Sequence, residues 1–309
     1  MLITRLGKSA QIDLLRSYWM PNKTALNWLV PLIALIAVIT AGVGLFSQGG
    51  PGPRTFTNTY RQTVELYGKG IYQHDSRLAG AGFRGTDAAT LVVALPLLLA
   101  TYALYRRGSR NAAIVLIGVL FYFMYNGASM TFAAMFNPLF LLYTALFSVS
   151  LFAVIVALGS FDRQALAKRV LPGFPHRGMA IFLFITGIAT FLLWLSELLG
   201  PILTGGAPEN LGPYTTMFTH SFDSATITPV AVLIGVFLLR RNPMGYLLAA
   251  PLMIFCTLIG VVVIGQTISQ ALDGLIFPPG VYIGMVGSWI LMGAFAVGLT
   301  VAYFRNLAA

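Results

Sequence analysis

Charge is scarce in this chain. Only 9% of its 309 residues are Asp, Glu, Lys or Arg, against about 25% in a typical soluble domain. Hydrophobic residues make up 57%, and the mean hydropathy is +0.81. A surface this apolar cannot be covered by water, so lipid is the expected solvent. The single cysteine, Cys256, excludes an intramolecular disulfide and a cysteine-based metal centre, and it reads as a small apolar packing residue. Lysine occurs only at Lys8, Lys23, Lys69 and Lys168, all outside the apolar runs, which excludes a retinal-type Schiff base inside a helix. Histidine occurs only at His74, His176 and His220. None falls at mid-depth of an apolar run, so a haem buried between two histidines is excluded, while one near the outer face between His74 and His220 is not. No G-x-G-x-x-G or P-loop stands in a suitable context.

Long apolar runs are what the chain has instead. A bilayer core of about 30 Å takes roughly 20 residues of helix, and eight runs qualify: 27–46, 87–105, 112–132, 138–158, 179–199, 220–239, 246–266 and 282–304. They show no strand-like alternation, which argues against a β-barrel. The expected fold is all-α: a polytopic integral membrane bundle of about eight transmembrane helices. The first run is longer than a signal-peptide core and lacks a convincing cleavage site, so it reads as a retained helix. Upstream, Ile12, Leu14, Leu15, Tyr18 and Trp19 among Asp13, Arg16 and Ser17 suggest a short interfacial helix.

The net charge is +10, and its distribution assigns topology rather than a nucleic-acid partner. Arg5, Lys8, Arg16 and Lys23 precede the first run. Arg106, Arg107 and Arg110 follow the second, Arg163, Lys168, Arg169 and Arg177 the fourth, Arg240 and Arg241 the sixth, and Arg305 the eighth. The loops after the third, fifth and seventh runs have no Lys or Arg. The positive-inside rule then places both termini in the cytoplasm, in a plasma or inner membrane. Residues 47–86 form a long outer loop that is charged but long enough to translocate. Within it, Tyr60, Val64 and Tyr67 share one face of an expected surface helix over 57–67.

Two helix starts resemble each other. Asp87-Ala-Ala-Thr90-Leu ends in Arg106-Arg107, and Asp223-Ser-Ala-Thr226-Ile ends in Arg240-Arg241. Phe136-Asn-Pro138 and Phe277-Pro-Pro279 precede the fourth and eighth runs. The chain then divides into a cytoplasmic segment 1–26, a first four-helix half 27–158, a linker 159–178 and a second half 179–309. These halves would be two parallel repeats, as in some transporters. Helix capping accounts for the same pattern, since an aspartate at a helix start accepts from free backbone N–H groups.

The polar residues gather toward one face. Extending the sixth run to a full span brings in His220, Asp223 and Thr226, spaced along one helical side. Glu197 ends the fifth run, Asp87 starts the second, and Asn126 and Gln266 lie in the outer halves of theirs. His74, Asp75, Arg77 and Arg84 come from the outer loop. Ionisable groups at membrane depth face a bundle interior or a water-filled cavity. Three functions fit. The first is a transporter or small-molecule- or ion-binding protein, with Asp87, Asp223 and Glu197 taking a cation or proton and Asn126 and Gln266 holding substrate. The second is a metal-dependent hydrolase for an amphipathic substrate, with His74, Asp75, His220 and Asp223 as ligands, Glu197 as base, and Arg77 or Arg84 on a phosphate. The third is an accessory subunit of a larger complex. The lipid bilayer is the expected partner, with a small-molecule or ion substrate under the first reading. Gly280, Gly284 and Ser288 form a small-residue ladder on the eighth helix, suited to internal packing or to oligomerisation.

Overall fold

The structure, a computed structural model, describes residues 23–308. The expected interfacial helix around residues 12–19 lies outside the described residues. The fold is all-α, with eight helices long and apolar enough to cross a membrane: α1 (Thr24–Phe46), α2 (Arg77–Arg106), α3 (Arg110–Phe132), α4 (Phe140–Gly159), α5 (His176–Thr204), α6 (Phe218–Leu239), α7 (Pro243–Leu272) and α8 (Pro279–Arg305). A helix satisfies its own backbone donors and acceptors, which lipid cannot do for it.

The bundle is built around α3 and α7, the two most buried spans. They pack on each other, with Gly118 of α3 set directly against the Pro251 carbonyl and Ile254 of α7. α4 lies along α3 and α8 along α7. α1 packs on α2, and α5 on α6. α2 also packs on α7 through Gly85 and Gly265, whose backbones approach so closely that a side chain at either would collide.

The surface helix expected over 57–67 is instead an antiparallel hairpin, β1 (Arg54–Thr57) paired with β2 (Thr63–Leu66). The reason is local. Threonine and valine favour strands, the Asn58 side chain accepts from the Tyr60 and Gln62 N–H groups, and Arg61 takes a left-handed φ of 61°. Together these make a turn where a helix would have to continue. The hairpin end of the bundle is laced together. Asn58 and Gln62 donate to the carbonyls of Gly212, Ala207 and Pro208 in the α5–α6 connection. Lys69 pairs with Asp273 after α7 at 2.5 Å.

The opposite end carries the basic turns. There Arg169 and Leu171, just after a short helix (Arg163–Lys168), bond to Ala308 and Asn306, and Tyr303 of α8 donates to the Tyr246 carbonyl at 2.6 Å.

Two helices start earlier than hydropathy suggested. α2 begins at Arg77, with Ser76 accepting from Ala79 N–H as its cap, so Asp87 is not a cap but lies inside the helix. Its first turns are too polar and glycine-rich to read as a span, and the hairpin covers them. α6 begins at Phe218, which likewise puts Asp223 inside. Asn137 accepts from Leu139 N–H in the turn just before α4.

α2 and α6 share an unusual break. Thr90–Ala94 and Asp223–Ile227 are π-helical, and each is followed by a 12-residue α segment with proline in second place, Pro96 and Pro229. A proline ring collides with the carbonyl four residues back, and widening that turn to π relieves the clash. The spacing from Thr90 to Asp223 also separates Pro96 from Pro229. It recurs between the left-handed Gly108 and Arg241, and between the capping residues Ser109 and Asn242. On this register Asp223 corresponds to Thr90, not to Asp87. α8 has a third π segment, Tyr282–Val286. In its small-residue ladder, a side chain at Gly280 or Gly284 would meet nothing within 4 Å, so these two glycines serve no internal packing.

Candidate functional site

Asp223 sits at the start of the π segment of α6 and is only 4% exposed. Its Oδ1 accepts from the Tyr125 hydroxyl of α3 at 2.9 Å, and its Oδ2 from the Trp194 indole N–H of α5 at 3.0 Å. One turn nearer the hairpin end, His220 Nε2 meets Glu197 Oε2 at 2.9 Å. The imidazole lies over the Trp194 ring, centroids 4.1 Å apart. Trp194 therefore touches both members of the α6 pair. The Glu197 side chain is 29% exposed, and the series from Glu197 through His220 to Asp223 runs from the surface inward.

Behind Asp223 is a cavity of about 20 Å³ lined by residues of five helices, among them Tyr125, Thr190, Asp223, Cys256, Trp289 and Met292. That is room for about one water. A carboxylate removed from water must be hydrogen-bonded, paired or neutralised. Here both partners are neutral donors, and among the described residues no Lys or Arg lines the cavity.

The other expected residues are distributed around a second, tyrosine-rich group under the hairpin. Asp87 Oδ2 accepts from the Tyr72 hydroxyl at 2.7 Å, pressed against Gly44 of α1. Thr90 and Tyr122 share a 2.6 Å bond, and Gln266 donates to Thr86 at 2.9 Å. Asn126 is buried on α3. Asp75 is fully buried. Its Oδ1 accepts from Met135 N–H at 2.8 Å and from the Tyr214 hydroxyl at 2.9 Å, while its Oδ2 has no partner among the described residues. Burial pushes the Asp75 carboxyl up to about 7, against the two hydrogen bonds that favour its charged form.

The loop cations already have partners. Arg77 contacts Glu65 at 3.3 Å and the Asp273 carbonyl at 2.6 Å, Arg84 donates to Tyr67 and the Leu45 carbonyl, and Arg54 donates to His74 Nδ1 at 3.0 Å. At Asp273, burial acts to raise the carboxyl, but the Lys69 and Tyr67 hydrogen bonds and the Lys69 and Arg84 charges outweigh it and hold it below the usual range.

The sequence reading grouped His74, Asp75, His220 and Asp223 as a ligand set. The structure does not bring these four together: each is bonded elsewhere, and among the described residues no three His, Cys, Asp or Glu side chains converge on a common point. It does pair His220 with Glu197, and Trp194, which bonds Asp223, lies against the His220 ring. Tyr125, Trp194, Tyr72 and Tyr214, which hold the carboxylates, were missed. Only Trp194 carried a local signal, three residues before Glu197 and so on the same helical side. His176, the third histidine, lies at the opposite end and shares a 2.9 Å bond with Tyr246. Comparison with protein-family models, with curated proteins and with solved structures finds no match.

Proposed function

We propose that this integral membrane protein binds and carries a small molecule or ion, and that Asp223 is its binding group. The observation behind this reading is a buried carboxylate held by two neutral donors and facing a cavity between helices, with the His220–Glu197 pair above it at the hairpin end. Structural ion pairs are normally matched by fixed cations. Asp223 has none among its hydrogen-bond partners, which suits a site where the positive charge arrives with a ligand. The π turn at Asp223 supports the same reading, since such turns are frequent at functional sites.

The recurring features of α2–α3 and α6–α7 support a parallel repeat of two four-helix halves. The basic turns favour cytoplasmic termini in a cell membrane, with the hairpin outside. The outward Gly280 and Gly284 leave space for close approach of a second copy. The hydrolase reading has lost its ligand set and its anion-holding arginines, which are engaged internally.

The test is electrical. Full-length protein in proteoliposomes on a solid-supported membrane would be exposed to a panel of inorganic cations, amines and zwitterions. At least one should evoke a current that disappears in Asp223→Asn. Silence across the panel, with no ligand raising the melting temperature, would favour a subunit role instead.

A further inference from the structure

The two halves differ at one seam. In the first, α1 packs along α4, and both helices bury small side chains, Ala34, Ala37 and Ala41 on one, Ser150, Ala153 and Ala157 on the other. The corresponding pair in the second half, α5 and α8, makes little direct contact. α8 is the least buried of the spans, at 11% of its most apolar stretch. Gly293 sits against Gly260 and Tyr303 against the Tyr246 carbonyl, so α8 is held chiefly by α7. The cavity lies directly behind this seam. Its walls there are Thr186 and Thr190 of α5 and Trp289 and Met292 of α8, and the Trp194 and Trp289 ring centroids are 6.4 Å apart. Side chains, not packed helix backbones, close the gap.

We propose that the seam between α5 and α8 is a lateral portal through which an amphiphile with a protonated amine head and an apolar chain reaches Asp223 from the lipid phase. This rests on the reading of Asp223 as the binding group and adds the substrate class and its route. Phe255, Ile259, Ile227 and Met292 offer an apolar lining, while Asp223 is an anionic acceptor with no resident cation. An ammonium head supplies the missing charge and its donors. The approach from the hairpin end is occupied by the His220–Glu197 pair. The cavity now holds about one water, so entry requires Trp289 and Met292 to swing aside. Methionine is the most adaptable of the apolar side chains, and both residues are on the helix that is held chiefly from one side, by α7.

The portal can be tested without any transport assay. A full-length variant with Trp19 and Trp28 replaced by phenylalanine and Trp289 by tyrosine, which keeps a large aromatic ring at the gate, leaves Trp194 as the only indole, and Trp194 is 5% exposed. In nanodiscs it would be titrated with stearylamine or stearate brominated at mid-chain, since bromine quenches indole only near contact. A variant retaining only Trp28, which is 77% exposed, serves as the lipid-facing control. The amine should quench Trp194 at ~10-fold lower concentration than the acid, the factor for one charge-assisted contact of about 1.4 kcal/mol. Asp223→Asn should erase that difference. Thr190→Leu, which fills the cavity and leaves the Asp223 bonds in place, should protect Trp194 from both probes. Equal quenching by amine and acid would overturn the amine head. No quenching of Trp194, with Trp28 quenched normally, would overturn the portal. A quenched Trp194 alongside electrically silent proteoliposomes would sink the transport reading and leave the portal standing.

Discussion

Asp75 and Tyr214 are 139 residues apart in the chain and are joined by a 2.9 Å hydrogen bond. With the Met135 N–H on the same oxygen, that bond ties the segment after the hairpin to the α3–α4 turn and the α5–α6 connection. The burial of Asp75 also sets a pH dependence. The folded carboxyl is raised to about 7 by burial, so the folded state keeps a proton that the unfolded chain releases near the ordinary value of about 4. The associated stability is full below that lower value and is lost as pH rises through about 7. The ceiling on the loss is on the order of 4 kcal/mol. Thermal unfolding in detergent should therefore show a melting temperature that falls between about pH 5 and about pH 8. Asp75→Asn should flatten that slope. An unchanged slope in the variant would show that Asp75 is not its source.

Removing only the Tyr214 hydroxyl asks a smaller question. Tyr214→Phe should cost about 1 kcal/mol in equilibrium unfolding, the net worth of one hydrogen bond. A larger loss would mean the phenol organises more of the α5–α6 connection than this single contact.

Gly44 has no room to change. A methyl group there would overlap Asp87 Oδ2 and the Tyr72 hydroxyl. Gly44→Ala should destabilise by about 2 kcal/mol, the usual range for overpacking. Asp87→Ala in the same background should recover part of the loss, because it removes the atom that collides. Additive effects in that double-mutant cycle would place the collision elsewhere.

The His220–Glu197 pair is partly open to solvent, which limits its strength. A double-mutant cycle with His220→Gln and Glu197→Gln should give a coupling of about 1 kcal/mol or less. Coupling well above that range would mean the pair is far less hydrated than its exposure suggests.

Cys256 is 2% exposed on α7. A membrane-impermeant maleimide should leave it unlabelled in the folded protein and modify it fully after denaturation, as read by intact mass. Labelling of the folded protein would mean that water reaches the cavity more freely than its packing implies.

Hydropathy made the eight spans legible because lipid imposes one rule on every helix, and that rule acts residue by residue. It failed at the hairpin end, where protein covers protein. The first turns of α2 read as loop because glycines and arginines keep them polar, yet Gly80 and Gly85 are what let the Tyr67 ring and the α7 backbone come close. Asp87 and Asp223 looked alike because both precede an A-T pair. Proline positions and turn caps instead align Asp223 with Thr90, a register set by backbone geometry that side-chain identity does not encode. For the site, the ionisable residues could be found from their depth alone. Tyr125 and Trp194 could not, since an aromatic in an apolar run is ordinary until its polar atom has a partner.

The hairpin and the segment after it are bonded to every other connection at their rim, and at the opposite rim residues 306–308 are stitched to 169–171. A cask hooped at both ends cannot gape at its mouth or its base. Its staves can part only along their length, and the loosest joint between staves is the one beside α8.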